Sequence, residues 1–293
     1  MTSTSPEFGL FLVPDAAAYP DLLRQVEAAE RGGLDLIGIQ DHPYQRRFLD
    51  TFALIADLLA RTERLRFFPD VANLPLREPA MLAKAGASLD AMSGGRFELG
   101  LGAGAFWEAI AAMGGPARSP RELVDALEEA IEIIRLAWSG ERSVTFEGEH
   151  YTVRGYHSGP PPAHPIGIWL GAYKPRMLAL TGRAADGWVP SLGSSSPDAL
   201  AQMRQRVDDA ATAAGRDPRA IRRILNVGGT IADAPASKLL HGPPAHWIET
   251  LTGFVTELGF DGFVLWPDGD VLAQVERFAA EVVPGVRANL NGV

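Results

Sequence analysis

The stretch from Ser93 to Gly104, SGGRFELGLGAG, decides how the rest of the chain is interpreted. Gly94-Gly95 supply the positive φ angles that end a helix or form a tight turn. The apolar residues that follow alternate with a period of two, which predicts a short strand over Phe97–Leu101. The glycines at 100, 102 and 104 leave the carboxyl end of that strand without side chains, so we expect a bulky ligand to approach the backbone there. A G-x-G-x-G loop alone is equally typical of a plain loop.

The alternation of strand and helix around this stretch extends through the whole chain. Predicted strands are Phe8–Val13, Leu34–Ile39, Leu65–Val71, Phe97–Leu101, Ile166–Leu170, Gly187–Pro190, Ile221–Ile231 and Gly262–Trp266. Eight such strands separated by amphipathic helices in 293 residues predict an α/β fold, a TIM (β/α)8 barrel, as a single domain over residues 1–293. A doubly wound open sheet is the alternative, but it normally carries phosphate-binding glycines after its first strand, where this chain has Pro14-Asp15-Ala16.

Residues 141–165 interrupt this alternation. Apolar residues alternate on both sides of Glu147-Gly148-Glu149, which predicts a β-hairpin, and the stiff run Gly159-Pro160-Pro161-Pro162 follows it. We interpret the segment as an insertion beside the barrel that serves as a lid, with Tyr156 and His157 as candidates to touch substrate; a solvated hairpin is the alternative.

Composition excludes several classes of function. The net charge of −9 comes without a basic block, so neither nucleic acid nor an anionic membrane is expected as a partner. The chain has no cysteine, which rules out disulfides and thiolate chemistry. No apolar run approaches the roughly 20 residues of a spanning helix, and Met1 to Glu7 lack the basic and apolar regions of a signal peptide. We therefore expect a soluble, cytoplasmic protein.

The residues after the predicted strands are rich in glycine and aromatic side chains and poor in acids. In a barrel of this kind the chemistry lies at those carboxyl ends, and this collection suits a flat, partly apolar ligand with a phosphate. The six histidines show no H-x-x-x-H spacing, so we predict no metal site. Lys174 precedes Pro175 at the start of a predicted helix, whose free amides would attract an anion; an ordinary capped helix is the alternative.

The segment from Leu74 to Gly102 resembles a family. Its LPLREP, LAK, SLD and SGGRFELGLG elements match, almost residue by residue, the R-x-P…LAK…SLD-x-L-SGGR-x-x-LG-x-G segment of the bacterial luciferase-like superfamily of flavin- and deazaflavin-dependent oxidoreductases. Weaker matches are Gly9-Leu10-Phe11, Asp41-His42 and the segment from Thr181 to Trp188. Beyond about residue 192 only the alternation of strand and helix matches.

The resemblance implies an isoalloxazine-type ring in the mouth of an eight-stranded barrel. It implies a non-proline cis peptide bond between Asp70 and Val71 behind the ring, with Asn73 beside the ring. Residues that would follow the cofactor tail are Gly102, Ala103 and Gly104, and those that would hold its phosphate through backbone amides are Ala172, Tyr173 and Lys174. Deazaflavin members often have glycines where Tyr173 and Lys174 stand.

His42 is the candidate catalytic residue. Asp41-His42 resembles the deazaflavin branch, in which the histidine faces the substrate, and a near-neutral pKa suits proton transfer coupled to hydride transfer. A structural histidine that holds the neighbouring loop is the alternative. Ala105 stands where some deazaflavin sugar dehydrogenases have a glutamate, and Phe106 and Trp107 follow it. This apolar wall favours a small, partly apolar organic substrate.

The preferred hypothesis is hydride transfer with coenzyme F-420, an 8-hydroxy-5-deazaflavin. The alternatives are an FMN-dependent monooxygenase that uses reduced flavin and O2, a non-catalytic flavin-binding protein and, least favoured, a barrel hydrolase, which would need paired carboxylates or metal ligands at the strand ends. Because family members are often homodimers through the helices near the second and third strands, the resemblance also implies a homodimer.

Overall fold

Parallel strands pair in sequence around a barrel in the computed structural model, which describes residues 5–291. The strands are β1 (Glu7–Leu12), β2 (Leu36–Ile39), β3 (Arg66–Pro69), β4 (Ala72–Asn73), β5 (Leu99–Gly102), β6 (Val144–Glu147), β7 (Thr152–Tyr156), β8 (Ile168–Leu170), β9 (Gly187–Trp188), β10 (Arg222–Ile231), β11 (His241–Gly242) and β12 (Gly262–Pro267). All eight predicted strands are present with bounds within two residues of the expected ones, although Leu65–Val71 is split into β3 and β4. Met1 to Thr4 lie outside the described residues.

The helices occupy the outside of the sheet. They are α1 (Tyr19–Arg31), α2 (Thr51–Arg61), α3 (Pro79–Ser93), α4 (Trp107–Ala112), α5 (Pro120–Trp138), α6 (Pro175–Ala184), α7 (Pro197–Ala213), α8 (Pro244–Thr256), α9 (Val271–Arg277) and α10 (Val283–Asn291), with a π-helical segment at Phe278–Val282 joining the last two. Ser119 and Glu122 form a capping box at the start of α5. Among residues 5–291, no helix is long and apolar enough to cross a bilayer.

The strand order confirms the predicted (β/α)8 barrel. The sheet runs β3-β2-β1-β12-β10-β9-β8-β5-β4 with parallel pairing along this path. β3 and β4 are two halves of one strand interrupted at Asp70-Val71, where the peptide bond is cis as the resemblance implies. A parallel bridge between Phe67 and Phe97 links β3 to the start of β5 and brings the sheet nearly to closure.

Side-chain alternation divides the core into two parts. The barrel interior is filled by one cluster of buried residues: Phe11, Leu36, Phe68, Trp169, Val189, Ile224 and Val264. The strand residues between them face the helices and join the larger outer cluster. Because side chains two residues apart point the same way, Asp70 follows Phe68 into the interior and Asn226 follows Ile224.

Ion pairs close the amino ends of the strands. Arg66 at the start of β3 pairs with Glu7 of β1 and donates to Glu98, with 3.1 Å between Arg66 Nη1 and Glu98 Oε1. Glu98 is buried, and its Oε2 accepts from the Gly167 amide at 2.7 Å. Arg222 of β10 also pairs with Glu7. These ion pairs cover the amino ends of the strands, and in barrels of this kind ligands bind at the opposite, carboxyl ends.

Candidate active site

Asp41 and Arg77 tie two strand ends together beside His42. Asp41, directly after β2, is 1% exposed and accepts two hydrogen bonds from Arg77, one from Nε at 2.9 Å and one from Nη2 at 2.8 Å. It also accepts from the Asn73 amide at 2.8 Å. Arg77 is the arginine of the R-x-P element, and its guanidinium lies 4.5 Å from the centroid of the Phe52 ring. The motif therefore orients the loop that carries His42.

His42 lies among aromatic side chains. Its ring stacks on Tyr44, with centroids 5.4 Å apart, and meets the edge of Phe106 at 5.2 Å. Burial lowers the pKa of His42 below its usual 6.5, and the neighbouring Asp41 carboxylate partly opposes this shift. A neutral imidazole at pH 7 is suited to accept a proton. Tyr44 has a buried hydroxyl without a hydrogen-bond partner, and burial raises its pKa to about 12.

The predicted ring-binding residues lie together at the break in the third strand. In register, Asn73 of β4 is opposite Gly102 of β5, so Asp70, Val71, Asn73 and Gly102 occupy one part of the mouth. The Asn73 side-chain oxygen is buried and has no hydrogen-bond partner. An unsatisfied buried oxygen is unfavourable in isolation, and a ligand N–H would satisfy it.

The glycines of β5 accommodate the neighbouring strand. A Cβ on Gly100 would lie 2.0 Å from the carbonyl oxygen of Pro69, and one on Gly102 would lie 2.7 Å from Val71. These glycines therefore make room for the irregular third strand. Gly104 has a φ of +92°, which favours glycine at that position.

The segment expected to hold a phosphate leads into α6. Ala172 is buried, and its carbonyl oxygen accepts from Trp188 Nε1 at 2.9 Å. The Tyr173 hydroxyl accepts from the Ser191 amide at 2.8 Å, so this side chain fixes the loop after β9. Lys174 is exposed and directly precedes α6, without a side-chain cap. The helix start thus offers backbone amides and a cation at one point.

The insertion forms the predicted hairpin but lies on the outside of α5. β6 and β7 pair antiparallel, and three consecutive amides at its tip, those of Glu149, His150 and Tyr151, donate to the carboxylate of Glu129 in α5. The lid interpretation is therefore wrong for this structure. Tyr156 belongs to the hairpin and His157 is exposed beyond it. Asp90 of the SLD element then anchors the end of the insertion through the amides of Ala163 and His164.

Sequence reasoning missed Asn226 and the acidic side chain of Asp70. Both lie inside the barrel, and each has a buried side-chain oxygen without a partner. The signal was a polar residue at an inward position of an apolar strand, which strand alternation alone identifies. Among the described residues no group of three His, Asp or Glu side chains could hold a metal ion.

The polar and aromatic groups at the mouth of the barrel fit a planar heterocycle with a polar edge. The mouth combines buried, unpaired oxygens on three residues, a neutral imidazole, an aromatic wall and a helix start with a lysine. Unpaired buried oxygens call for N–H donors or for a proton, whereas the aromatic side chains suit an apolar ring or substrate.

Comparison with known proteins agrees with this geometry. The sequence profile of the luciferase-like monooxygenase family matches residues 2–251. An uncharacterised protein of Mycobacterium tuberculosis is 33% identical over 75% of this chain and 73% of its own. The F420-dependent glucose-6-phosphate dehydrogenase of Intrasporangium calvum is 27% identical over 91% of this chain and 95% of its own.

Solved structures share the fold. An F420-dependent secondary alcohol dehydrogenase in complex with an F420–acetone adduct superimposes with a TM-score of 0.85 at 19% identity, over 97% of this chain and 99% of that one. The oxygenating constituent of 3,6-diketocamphane monooxygenase from Pseudomonas putida, in complex with FMN, gives 0.79 at 20% identity over 96% and 99%.

Proposed function

Because the chain belongs to the luciferase-like monooxygenase family, we propose that it is an oxidoreductase that transfers a hydride between coenzyme F-420 and a small, partly apolar organic substrate. The observation that carries this proposal is the proximity of His42, flanked by aromatic rings, to the unpaired buried oxygens of Asp70 and Asn73, since Asp41 beside His42 accepts from the Asn73 amide. The similarity to an F420-dependent dehydrogenase over nearly the full chain supports the choice of cofactor.

The cofactor site is assigned residue by residue. Asp70, Val71 and Asn73 would lie beside the ring, and the oxygen of Asn73 would accept from a ring N–H. Gly102, Ala103 and Gly104 would follow the tail. The amides of Ala172, Tyr173 and Lys174 at the start of α6 would bind the phosphate, with the lysine ammonium adding charge.

His42 supplies the acid–base chemistry. The bound deazaflavin would supply the carbon that accepts or gives the hydride. When an alcohol is oxidised, a proton leaves its oxygen as the hydride leaves its carbon, and a ring nitrogen of neutral His42 accepts that proton. In the reverse direction the imidazolium returns it to a carbonyl oxygen. The Asp41 carboxylate, held by Arg77, favours the charged form of the imidazole through its nearby negative charge.

The side chains around His42 define the substrate class. Phe106 is 55% exposed and packs against the imidazole, Trp107 follows it in sequence, and Tyr44 packs against both the imidazole and the Phe106 ring. A substrate seated against these rings would bury an apolar group, while its reacting oxygen meets His42.

An FMN-dependent monooxygenase is the second candidate, favoured by the structural similarity to an FMN complex. A flavin-binding protein without turnover would bind the same group but consume no electron donor. We would express the protein in a host that makes both flavins and deazaflavins and identify the released cofactor by mass spectrometry. Coenzyme F-420 is the expected result, whereas FMN alone would overturn the preferred hypothesis.

We also propose that the protein is a cytoplasmic homodimer. Met81 and Met92 on the outer face of α3 are 65% and 72% exposed. Large apolar side chains at such exposure are typical of an interaction surface when they share one helix face. A second copy of the chain would cover them.

A further inference from the structure

The carboxyl group of Asp70 points into the barrel, and its Oδ2 has no hydrogen-bond partner. It lies two residues after Phe68 of the interior cluster and on the same side of the strand. Its Oδ2 is buried without a hydrogen bond, and it would lie 2.8 Å from a Cβ at Gly38, so the glycine on β2 leaves the space that this carboxyl occupies. Two strands thus place an acid inside the barrel, and the side chain that interacts with it is that of Asn226.

A second side chain with an unsatisfied oxygen, that of Asn226, lies beside Asp70. Its Nδ2 donates to Ser191 Oγ at 3.3 Å, which leaves Oδ1 buried and unpaired. The Ser191 amide in turn donates to the Tyr173 hydroxyl at 2.8 Å. These contacts connect the segment assigned to the phosphate with the interior of the barrel. They run from Tyr173 through Ser191 and Asn226 to the Asp70 carboxyl.

No cation balances Asp70 among the described residues. The titratable groups at the end of β2 are Asp41 and His42, and the Asp41 carboxylate forms an ion pair with Arg77. β5 contributes glycines, β10 the neutral Asn226, and the neighbouring loops Ser191 and the Tyr173 phenol. Burial raises the pKa of Asp70 to about 7, and the Asn226 amide partly lowers it. The carboxyl is therefore largely protonated in mildly acidic solution.

We propose that Asp70 and Asn226 together bind the polar edge of the planar ligand, with the protonated Asp70 carboxyl donating to a ligand oxygen and Asn226 Oδ1 accepting from a ligand N–H. The two groups are complementary to a cyclic imide edge, on which carbonyl oxygens and an N–H alternate. This inference rests on the proposed function and adds to it a proton that controls ligand binding. Ionisation of Asp70 removes the donor and places a negative charge against the ligand oxygen.

The test is ligand affinity as a function of pH. Apoprotein is titrated with FMN and, separately, with coenzyme F-420, and the dissociation constant is followed by fluorescence between about pH 5.5 and 9. Relative to Asp70→Asn, which keeps a donor at all pH values, the wild type should lose about tenfold in affinity per pH unit above 7. Taking the ratio of the two proteins cancels the titration of the ligand itself.

Two further variants test the role of the Asp70 donor, one by removing it and one as a control at another acid. Asp70→Ala removes the donor and should weaken binding roughly fivefold to tenfold at pH 6. Asp268→Asn changes a 67% exposed acid just after β12 and should leave the pH dependence as in the wild type. Circular dichroism checks that each variant is folded, and the infrared C=O band of a protonated carboxyl at pH 6 should disappear in Asp70→Asn apoprotein.

The outcomes separate the two proposals. Binding that weakens with pH in the wild type but not in Asp70→Asn supports the inference. Identical pH dependence in both proteins, with a ligand bound, overturns the inference and leaves the proposed function standing. If the wild type binds neither FMN nor coenzyme F-420, both are overturned.

Discussion

Arg77 donates two hydrogen bonds to the Asp41 carboxylate, from Nε at 2.9 Å and from Nη2 at 2.8 Å. These bonds connect the loop after β4 to the residue that precedes His42. Asp41 is 1% exposed, and Arg77 is its cationic partner. The arginine also bonds Asp50 at 2.7 Å, at the start of α2. A single side chain thus organises three segments at the carboxyl ends of the strands.

Replacing Arg77 by Met should destabilise the protein by about 3–5 kcal/mol, because it leaves the Asp41 carboxylate buried without a counter-charge. The free energy of unfolding from urea denaturation measures this. Arg121→Met is the matched control, since that arginine is 86% exposed and its pair with Asp125 is loose at 3.8 Å; it should change stability by less than about 1 kcal/mol. Equal effects of the two substitutions would contradict the structural role.

His42→Ala should reduce turnover by about 10² to 10⁴ while changing cofactor affinity much less, because general acid–base catalysis contributes on that scale. Burial lowers the pKa of His42. For alcohol oxidation the neutral ring is the active form, so kcat should fall as the pH decreases through a pKa below 6.5, and this acid limb should vanish in His42→Ala. His157→Ala, an exposed histidine, is the control. An unchanged rate in His42→Ala would remove His42 from the mechanism.

Asp70 should also make the apoprotein less stable at higher pH. The unfolded carboxyl has a pKa of about 4, and the folded one about 7. Between these values the folded protein holds a proton that the unfolded chain has released, so the free energy of unfolding falls as pH rises and levels off above pH 7 or so. Asp70→Asn lacks this contribution.

The comparison is made by urea denaturation of both apoproteins at pH 5 and pH 8. The stability of Asp70→Asn relative to wild type should increase by about 2–3 kcal/mol between the two conditions. Other titrating groups contribute equally to both proteins and cancel. Parallel stability curves would show that Asp70 is ionised in the folded state at pH 5.

Phe106 should control substrate preference. The centroid of its ring lies 5.2 Å from that of His42 and 5.8 Å from that of Tyr44. Phe106→Ser should lower kcat/KM roughly tenfold for apolar substrates, because an apolar contact worth about 1.5 kcal/mol or more is lost, and should affect small polar substrates less. Met113→Ser, at 50% exposure shortly after α4, is the control. An equal loss for both substrate types would argue against an apolar wall.

The strands could be predicted from sequence because each is a short apolar run bounded by turn residues. Two helical features could not. α4, at Trp107–Ala112, is too short to show periodicity. The helical path also continues past the π-helical segment into α10 at Val283, although Pro284 and Gly285 near its start are poor helix formers. Proline is tolerated in a first helical turn, where its missing N–H has no partner to lose.

The site was predictable only where strand order determines it. His42 and Asn73 follow adjacent parallel strands, so their proximity at one end follows from the fold. The partners of Gly100 and Gly102 were not predictable, because the departure of the third strand at Asp70-Val71 depends on packing between strands. The pairing of Asp70 with Asn226 joins residues far apart in sequence, and no local pattern relates them.

Homodimer formation should depend on the outer face of α3. Met81 and Met92 are eleven residues apart, about three helical turns, so both lie on one face, with exposures of 65% and 72%. Replacing both by Lys places like charges on each copy and removes apolar contact, and should weaken dimerisation roughly a hundredfold or more. Sedimentation velocity over a range of concentrations measures this.

Leu239→Lys provides the matched control, because Leu239 is also a large exposed apolar residue, at 41%, but lies away from α3 in the segment before β11. It should leave the dimer intact. The double α3 variant should remain folded as a monomer, because neither methionine contributes to the buried core. A wild-type protein that sediments as a monomer, or a dimer that survives both lysines, would place the contact elsewhere and leave the exposed methionines without this explanation.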